Sequence, residues 1–492
     1  MSQAFQIASE DDLRDESRKT GTAVGIAFPT SKQDIEGALA EARRRRMPLT
    51  LQGARTGITG GAVPDGGLIL NLSRMAAVER EENGAGLRVE PGARLFSIRE
   101  HSPSGLFFPP DPTEPTASIG GMMACNASGA GTYLYGPTRR HVKALRVLLA
   151  NGEHLDLQRG RDKAKGLEFR LGSLHGVLPP LPRSAVKNAA GYYVEPDMDL
   201  LDLFIGAEGT LGILTQASLC LTPMPEAIWA FMAFFPSSPA TAAYVHALRQ
   251  AFRMSKPNAR LAAMEYFDAH SLDFLRRQTN APASRQVPLP DMPPGSSCLY
   301  VEVHADSDSA AEEAVLSAVG MLPTFRSNPD AVLLANTPTE LERLKLFRHA
   351  LPEGVNAAID QRRKQYPGLT KLGTDMAVPD EHLTDILALY EADLAKAGLE
   401  SVVFGHIGNN HLHVNILPRT PVEYEAGQAL YQNWADQVIA WGGSISAEHG
   451  IGKLKRGLLA RMMGAEGMQQ MRQIKQMLDP DFLLNPGNLF LP

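Results

Sequence analysis

The sequence predicts an α+β protein of two domains and a closing tail, and three observations carry that prediction. Residues 25–29, 49–52 and 68–72 are short apolar runs, with a helical apolar pattern over residues 31–47 between the first two. The tetrapeptide Thr222-Pro223-Met224-Pro225 interrupts the chain where the pattern changes. Beyond it, apolar runs alternate with longer helical patterns, as expected of a second α+β unit. The divisions follow: residues 1–224, 225–478 and 479–492.

Ser31 suits the N-cap of the first helix. Asp34 and Glu36 fall in its first turn and the run Arg43 to Arg46 at its end, which suits the helix dipole and reads as a solvated helix end. Residues 106–117 are proline-rich and read as loop. Residues 142–150 and 203–222 contain strand-like runs. In the second unit, residues 228–235, 298–303, 331–334, 401–404 and 412–417 read as strands. Residues 241–252, 310–319, 381–397 and 422–441 read as helices. Residues 281–297 carry five prolines and read as a surface loop. The tail contains Asn485-Pro486-Gly487-Asn488, a turn-rich closure expected to fold back on the first domain.

Composition narrows the function. Apolar content of 44% and charged content of 21% are those of a soluble globular enzyme. A net charge of -6 without a basic stripe argues against nucleic acid as a partner. Cys125, Cys220 and Cys298 form neither a disulfide framework nor Fe–S spacing, which fits a reducing compartment. Residues 1–18 are polar and acidic, without the apolar core of a signal peptide, and no run has the length of a membrane span. A cytoplasmic location is expected, with contact at a membrane surface and assembly into oligomers both left open.

Three small-residue patches follow. The first is Gly53-Ala54-Arg55-Thr56-Gly57-Ile58-Thr59-Gly60-Gly61, between two strands. Its glycines allow positive φ and let backbone N–H groups approach an anion such as a diphosphate, although a tight hairpin would carry similar glycines. It is neither the G-x-G-x-x-G fingerprint nor a P-loop. The second runs from Pro109-Pro110-Asp111-Pro112 through Ser118-Ile119-Gly120-Gly121 to Asn126-Ala127-Ser128-Gly129 and adds polar side chains. The third is Gly206-Ala207-Glu208-Gly209-Thr210-Leu211-Gly212-Ile213.

A histidine constellation lies in the second unit. Gly405-His406-Ile407-Gly408-Asn409-Asn410-His411-Leu412-His413 is followed by Ala447-Glu448-His449-Gly450, so four of the 13 histidines sit in two short stretches. His411 and His413 are two apart on a strand pattern and face the same way, and His406 stands across a turn. Imidazoles with a carboxylate make an open site for a divalent cation, while separate core histidines bonded to backbone would be the plainer arrangement.

In their order and spacing, the patches resemble the FAD-binding domain of the vanillyl-alcohol oxidase / p-cresol methylhydroxylase flavoproteins. Within that superfamily the chain resembles the branch of D-lactate dehydrogenases, glycolate oxidase flavin subunits and D-2-hydroxyglutarate dehydrogenases, from about residue 25 to the C-terminus. The resemblance implies a two-subdomain PCMH-type FAD-binding domain, then an α+β cap domain with an antiparallel sheet. It implies that Gly53, Arg55, Thr56, Gly57, Thr59, Gly60 and Gly61 wrap the FAD pyrophosphate. Pro110, Asp111, Ser118, Gly120, Gly121, Asn126, Ser128 and Gly129 would flank the isoalloxazine. Glu208, Gly212 and Ile213 would lie on the adenine side, with Asn485 of the returning tail also at the cofactor. Relatives that tether FAD covalently through the first loop use a histidine there. None lies between Gly53 and Ala62, so FAD is expected to be non-covalent.

The family pattern His-Ile-Gly-Asp-Gly-Asn-Leu-His, followed downstream by Glu-His-Gly, implies His406, His413 and Glu448 as metal ligands and His449 as the active-site histidine. The metal would be zinc, with manganese or iron as alternatives. His411 stands where the family has an asparagine that contacts substrate, so it would either donate to substrate or join the metal. Arg348 falls near the family arginine that clamps the substrate carboxylate, a task suited to a guanidinium fork. Lys371 resembles a family substrate lysine. The implied reaction is oxidation of a D-2-hydroxy acid: the metal acidifies the hydroxyl, His449 takes its proton and the hydride passes to flavin N5. Electrons would then leave to a quinone, a cytochrome, an electron-transfer flavoprotein or an Fe–S subunit. Two alternatives stay open: the flavin subunit of a multi-subunit glycolate-oxidising complex, and a non-redox transferase like alkylglycerone-phosphate synthase. The His406/His413/Glu448 set argues against the transferase.

Overall fold

Ser31 starts the first helix, Lys32–Arg45, through a reciprocal cap: its hydroxyl accepts the Asp34 amide at 3.2 Å and Asp34 accepts the Ser31 amide at 3.0 Å. The helix buries Ile35, Ala38, Leu39 and Ala42, while Arg44 and Arg45 pair with Glu41 on the solvent side. These residues belong to a computed structural model that describes residues 5–82, 84–254, 258–277 and 293–491. The expected surface loop over residues 281–297 lies mostly outside the described residues; its last member, Ser297, opens a strand.

Strands Gly25–Ala27, Leu68–Asn71 and Leu49–Gln52 form a parallel sheet with Leu68–Asn71 in the middle. The α/β opening expected from the sequence is therefore present. A second, antiparallel sheet runs in the order Val78–Arg80, Gly86–Val89, Ile213–Cys220, Val142–Leu148, His154–Gln158. The two sheets leave the loops after Gln52 and before Ile213 facing each other. The proline boundary is tied in by pairing: Thr222–Pro223 forms a two-residue ladder with Leu106–Phe107, inside the segment expected to be loop.

The second half is built on one large antiparallel sheet. Its path is Leu333–Ala335, Ala227–Phe235, Ser297–Ala305, Ala259–Phe267, Ser401–Gly405, His411–Ile416, Leu372–Gly373, with Met376–Ala377 also on His411–Ile416. The strand Ala259–Phe267 has no counterpart among the strands read from the sequence. Its last seven residues are all buried, so it shows no alternation, and Ala262, Ala263, Met264 and Glu265 are helix formers that packing holds extended. Helices Pro338–Arg363 and Arg456–Leu478 were likewise not expected; the first contains Pro352 and the second breaks at Gly464, where φ is +67°.

The tail returns to the first half. Leu49 donates to the Leu483 carbonyl at 2.8 Å and Asn485 donates to the Leu49 carbonyl at 3.0 Å. The buried Lys475 ammonium ties Thr210 O, Asp479 and Leu484 O together at 2.5, 2.5 and 2.9 Å. Among the described residues no helix is long and apolar enough to cross a membrane.

Candidate active site

A cleft of about 370 Å3 runs between the two halves, and all three small-residue patches reach its wall. The first patch supplies Gly53, Arg55, Thr56, Gly57, Thr59 and Gly61; the second Asp111, Ser118, Gly120, Gly121, Ser128 and Gly129; the third Glu208 and Gly212. Gly60, Pro110, Asn126 and Ile213 stand off that wall. Gly60 faces Leu454 and Lys453, Asn126 accepts the Arg139 amide at 3.0 Å, and Pro110 and Ile213 are packed inside.

Close approach of backbone explains the glycines. A Cβ on Gly53 would sit 2.2 Å from Ser118 Oγ, which already accepts the Ala54 amide at 3.1 Å. A Cβ on Gly129 would sit 1.9 Å from Asp111 O. At Gly57, by contrast, nothing lies within 4 Å, so its backbone faces open cleft. Asn485 binds the patches to each other: its Oδ1 accepts from Leu51 N at 2.6 Å and its Nδ2 donates to Glu208 O at 2.7 Å. Glu208 is buried, which raises its carboxyl, while the Ile451 and Gly452 amides donate to it at 2.6 and 2.8 Å. The elongated, glycine-floored cleft fits a dinucleotide such as FAD.

At one end of the cleft the imidazoles converge on a single oxygen. Glu448 Oε1 lies 3.3 Å from His406 Nε2, 3.3 Å from His413 Nε2 and 3.6 Å from His449 Nε2. These groups come from separate places: His406 follows strand Ser401–Gly405, His413 sits in strand His411–Ile416, and Glu448 and His449 follow the helix Pro421–Ala440. Each imidazole has its other nitrogen near an oxygen. His406 Nδ1 meets Glu265 at 2.8 Å, His413 Nδ1 the Thr374 carbonyl at 3.1 Å, and His449 Nδ1 stands 3.4 Å from Asp375 Oδ2. Such outer partners put the proton on Nδ1 and turn a bare Nε2 inward, as cation ligation requires. The donor atoms of His406, His411, His413 and Glu448 all lie within 4.8 Å of one another. This donor set fits a divalent cation with nitrogen and oxygen ligands.

Charge is arranged to suit. Burial disfavours the Glu448 carboxylate, but Lys187, then His406 and His411, hold its carboxyl well below the usual range. Burial likewise opposes charge on His406, and Glu265 and Glu448 overcome it, lifting the imidazole to about 9, so a cation binding at Nε2 would displace a proton from it. Asp375 is buried yet held well below the ordinary carboxylate range by Lys455 and His449.

His411 is fully buried and off the cleft wall. Its Nδ1 lies 3.2 Å from Lys187 Nζ; its Nε2 stands 2.9 Å from Asp375 Oδ1 but off the line of a hydrogen bond. Arg348, on the helix Pro338–Arg363, reaches the cleft wall. Its guanidinium carbon stands 5.2 Å from the Tyr300 ring centroid and Nη2 lies 3.9 Å from Glu265 Oε1. Among the described residues it makes no hydrogen bond, so its fork has donors to spare. Lys371 is off the cleft wall, and burial, then Arg18, lowers its ammonium to about 8.

Sequence reasoning missed Lys187, Glu265, Asp375 and Lys455. Lys187 lies in the irregular stretch between strand Leu174–Val177 and the turn Leu200–Leu203, and Glu265 in the unrecognised strand. Asp375 carried a weak signal, an acid within the motif Thr374-Asp375-Met376-Ala377-Val378-Pro379.

Comparison with known proteins bears on the same residues. Residues 23–158 match the family described as FAD binding domain, and residues 224–489 match FAD linked oxidases, C-terminal domain. A D-2-hydroxyglutarate dehydrogenase of Xanthomonas citri pv. viticola is 31% identical over 97% of this chain and 91% of its own length. A probable mitochondrial D-lactate dehydrogenase of Danio rerio is 29% identical over 94% of this chain and 84% of its own length. The glycolate oxidase subunit GlcD of Bacillus subtilis is 28% identical over 94% and 88%. A solved alkyldihydroxyacetonephosphate synthase superposes with a TM-score of 0.62 at 14% identity, over 95% of this chain and 77% of that one, a likeness of fold.

Proposed function

The chain belongs to the FAD-linked oxidases, and on that premise we propose that it oxidises a D-2-hydroxy acid to the 2-oxo acid, with FAD held non-covalently and a divalent cation, zinc before manganese or iron, beside it. Residues 1–224 would bind FAD, residues 225–478 would supply the substrate and cation groups, and residues 479–492 would close the FAD domain. The observation that carries the reading is the convergence of His406, His413 and His449 on Glu448 Oε1 at the cleft that the glycine patches line.

Bound FAD would supply a hydride acceptor, and a bound cation would supply Lewis acidity toward the substrate hydroxyl. Arg348 offers its free fork to the substrate carboxylate. His406, His413 and Glu448 would hold the cation. His449 is oriented by Asp375 and has the most exposed side chain of these five residues, at 32%. It would take the hydroxyl proton, and the Asp375 carboxylate would stabilise the imidazolium so formed.

The names of relatives support the substrate class. Electrons would leave to a quinone, a cytochrome, an electron-transfer flavoprotein or an Fe–S subunit. Anaerobic mixing of the FAD-loaded protein with a panel of D- and L-2-hydroxy acids tests the proposal: a D-acid should bleach the flavin and its L-isomer should not. A flavin untouched by every member of the panel would end it.

A further inference from the structure

Resting on the metal reading just given, we infer that Lys187 is a positioning residue that fixes Glu448 as a one-oxygen ligand and keeps His411 out of the coordination sphere. Lys187 Nζ lies 2.6 Å from Glu448 Oε2 and 3.2 Å from His411 Nδ1. All three side chains are buried, with 7%, 9% and 0% exposed.

The segment carrying Lys187 is pinned. Asn188 Oδ1 accepts the Ser444 hydroxyl at 2.7 Å, and the Ala189 amide donates to Ser446 O at 2.8 Å. The residues beside Lys187 are thus bonded to the stretch that leads into Glu448. The ammonium is held against the centre by backbone that cannot swing away alone.

Donor logic then assigns the ligands. An ammonium donates and never accepts. Glu448 Oε2 already accepts from Lys187, which favours Oε1, the oxygen on which His406, His413 and His449 converge, as the ligand atom. His411 Nδ1 must accept from Lys187, so its one lone pair there is spent. The ring proton then sits on Nε2, which faces the buried Asp375 carboxylate rather than the cluster. By distance alone His411 belongs to the same group as His406, His413 and Glu448. With Lys187 in place it has no nitrogen to give.

Charge agrees with this division. The buried carboxylates Glu265, Asp375 and Glu448 face Arg348, Lys455 and Lys187 in turn. Removing Lys187 would leave Glu448 free to turn both oxygens inward and would release the His411 lone pair.

X-ray absorption of the cobalt-substituted holoenzyme, with cobalt stoichiometry on the same samples, tests the inference. His411→Asn should bind cobalt as the wild type does, with the same imidazole count, whereas His413→Asn should lose one imidazole. Lys187→Met should gain an imidazole, and Lys187→Arg, which restores a donor, should return the wild-type spectrum. Circular dichroism identifies any variant that fails to fold, and His411→Asn carries the test if Lys187→Met does. An imidazole lost in His411→Asn, or an unchanged imidazole count in a folded Lys187→Met, would overturn the inference while leaving the metal reading intact. A wild type that binds no cobalt would overturn both.

Discussion

Asp375 holds His449 from two directions: its Oδ2 accepts the His449 backbone amide at 3.1 Å and stands 3.4 Å from the ring Nδ1. The ring is thereby fixed with Nε2 toward Glu448 and the cleft. His449→Ala should slow anaerobic flavin reduction by about 10²–10⁴-fold, the usual worth of general base catalysis, and should leave FAD bound. Stopped-flow absorbance checks this; an unchanged rate would remove His449 from the proposed role.

The partner of His406 gives a second test. Glu265 sits in the central strand Ala259–Phe267 and meets His406 Nδ1 at 2.8 Å. Glu265→Gln keeps the shape and removes the charge. Metal affinity should fall by about 10–100-fold, as outer partners commonly contribute. Cation titration of the metal-stripped protein measures it, and an unshifted titration would show that Glu265 does not tune the centre.

Arg348 has donors that no described residue uses, so its replacement should be felt by the substrate rather than by the fold. Arg348→Lys keeps a positive charge and loses the two-pronged geometry. A charged hydrogen bond contributes about 1.5–3 kcal/mol, which corresponds to roughly 10–150-fold in kcat/KM. Steady-state kinetics alongside thermal unfolding separate the two cases: equal activity with lower stability would make Arg348 structural.

Asn485 joins Leu51 to Glu208 across the base of the cleft. Asn485→Ala removes both bonds, leaving the Leu51 amide unpaired and the Glu208 carbonyl with only the 3.5 Å bond from Asn488 Nδ2, a loss of about 1–3 kcal/mol for the unpaired amide. Weaker retention of FAD on gel filtration and a lower Tm are expected together. Full FAD occupancy at an unchanged Tm would contradict the role given to the tail.

Burial pulls the His141 imidazole down to about 4, against the Tyr135 carbonyl at 3.0 Å, which pulls it up. The unfolded chain binds that proton near 6.5, so below that pH the unfolded state binds more protons. The contribution is complete above pH 6.5 and is lost as pH falls toward 4, by at most about 3 kcal/mol. His141→Gln should flatten this decline in urea unfolding between pH 7 and pH 5; an identical decline would place its cause elsewhere.

Much of this architecture is legible in the sequence where local chemistry and packing agree. Ser31 and Asp34 announce a helix start by themselves, and the three small-residue patches mark where backbone approaches backbone. His411 and His413 reveal a shared strand face by their spacing alone. The strand Ala259–Phe267 is not legible, because a strand buried on both faces loses its alternation and its alanines favour helix. Lys187 and Glu265 escape for a related reason: each is a lone charged residue whose partner lies far along the chain. His411 shows the limit from the other side. The sequence leaves it between metal ligand and substrate contact, and its burial and the Lys187 ammonium beside Nδ1 are the observations that bear on the choice.

If the His406, His413 and Glu448 cluster serves flavin reduction through a bound cation, bleaching of the flavin depends on that cation. Anaerobic mixing of one preparation with the D-2-hydroxy acid of the panel that bleaches fastest, before and after removal of metal and again after its return, measures that dependence. Fast bleaching of the flavin, loss of bleaching on stripping with FAD still bound, and recovery when the cation is restored are expected. Undiminished bleaching in the stripped protein would contradict that dependence.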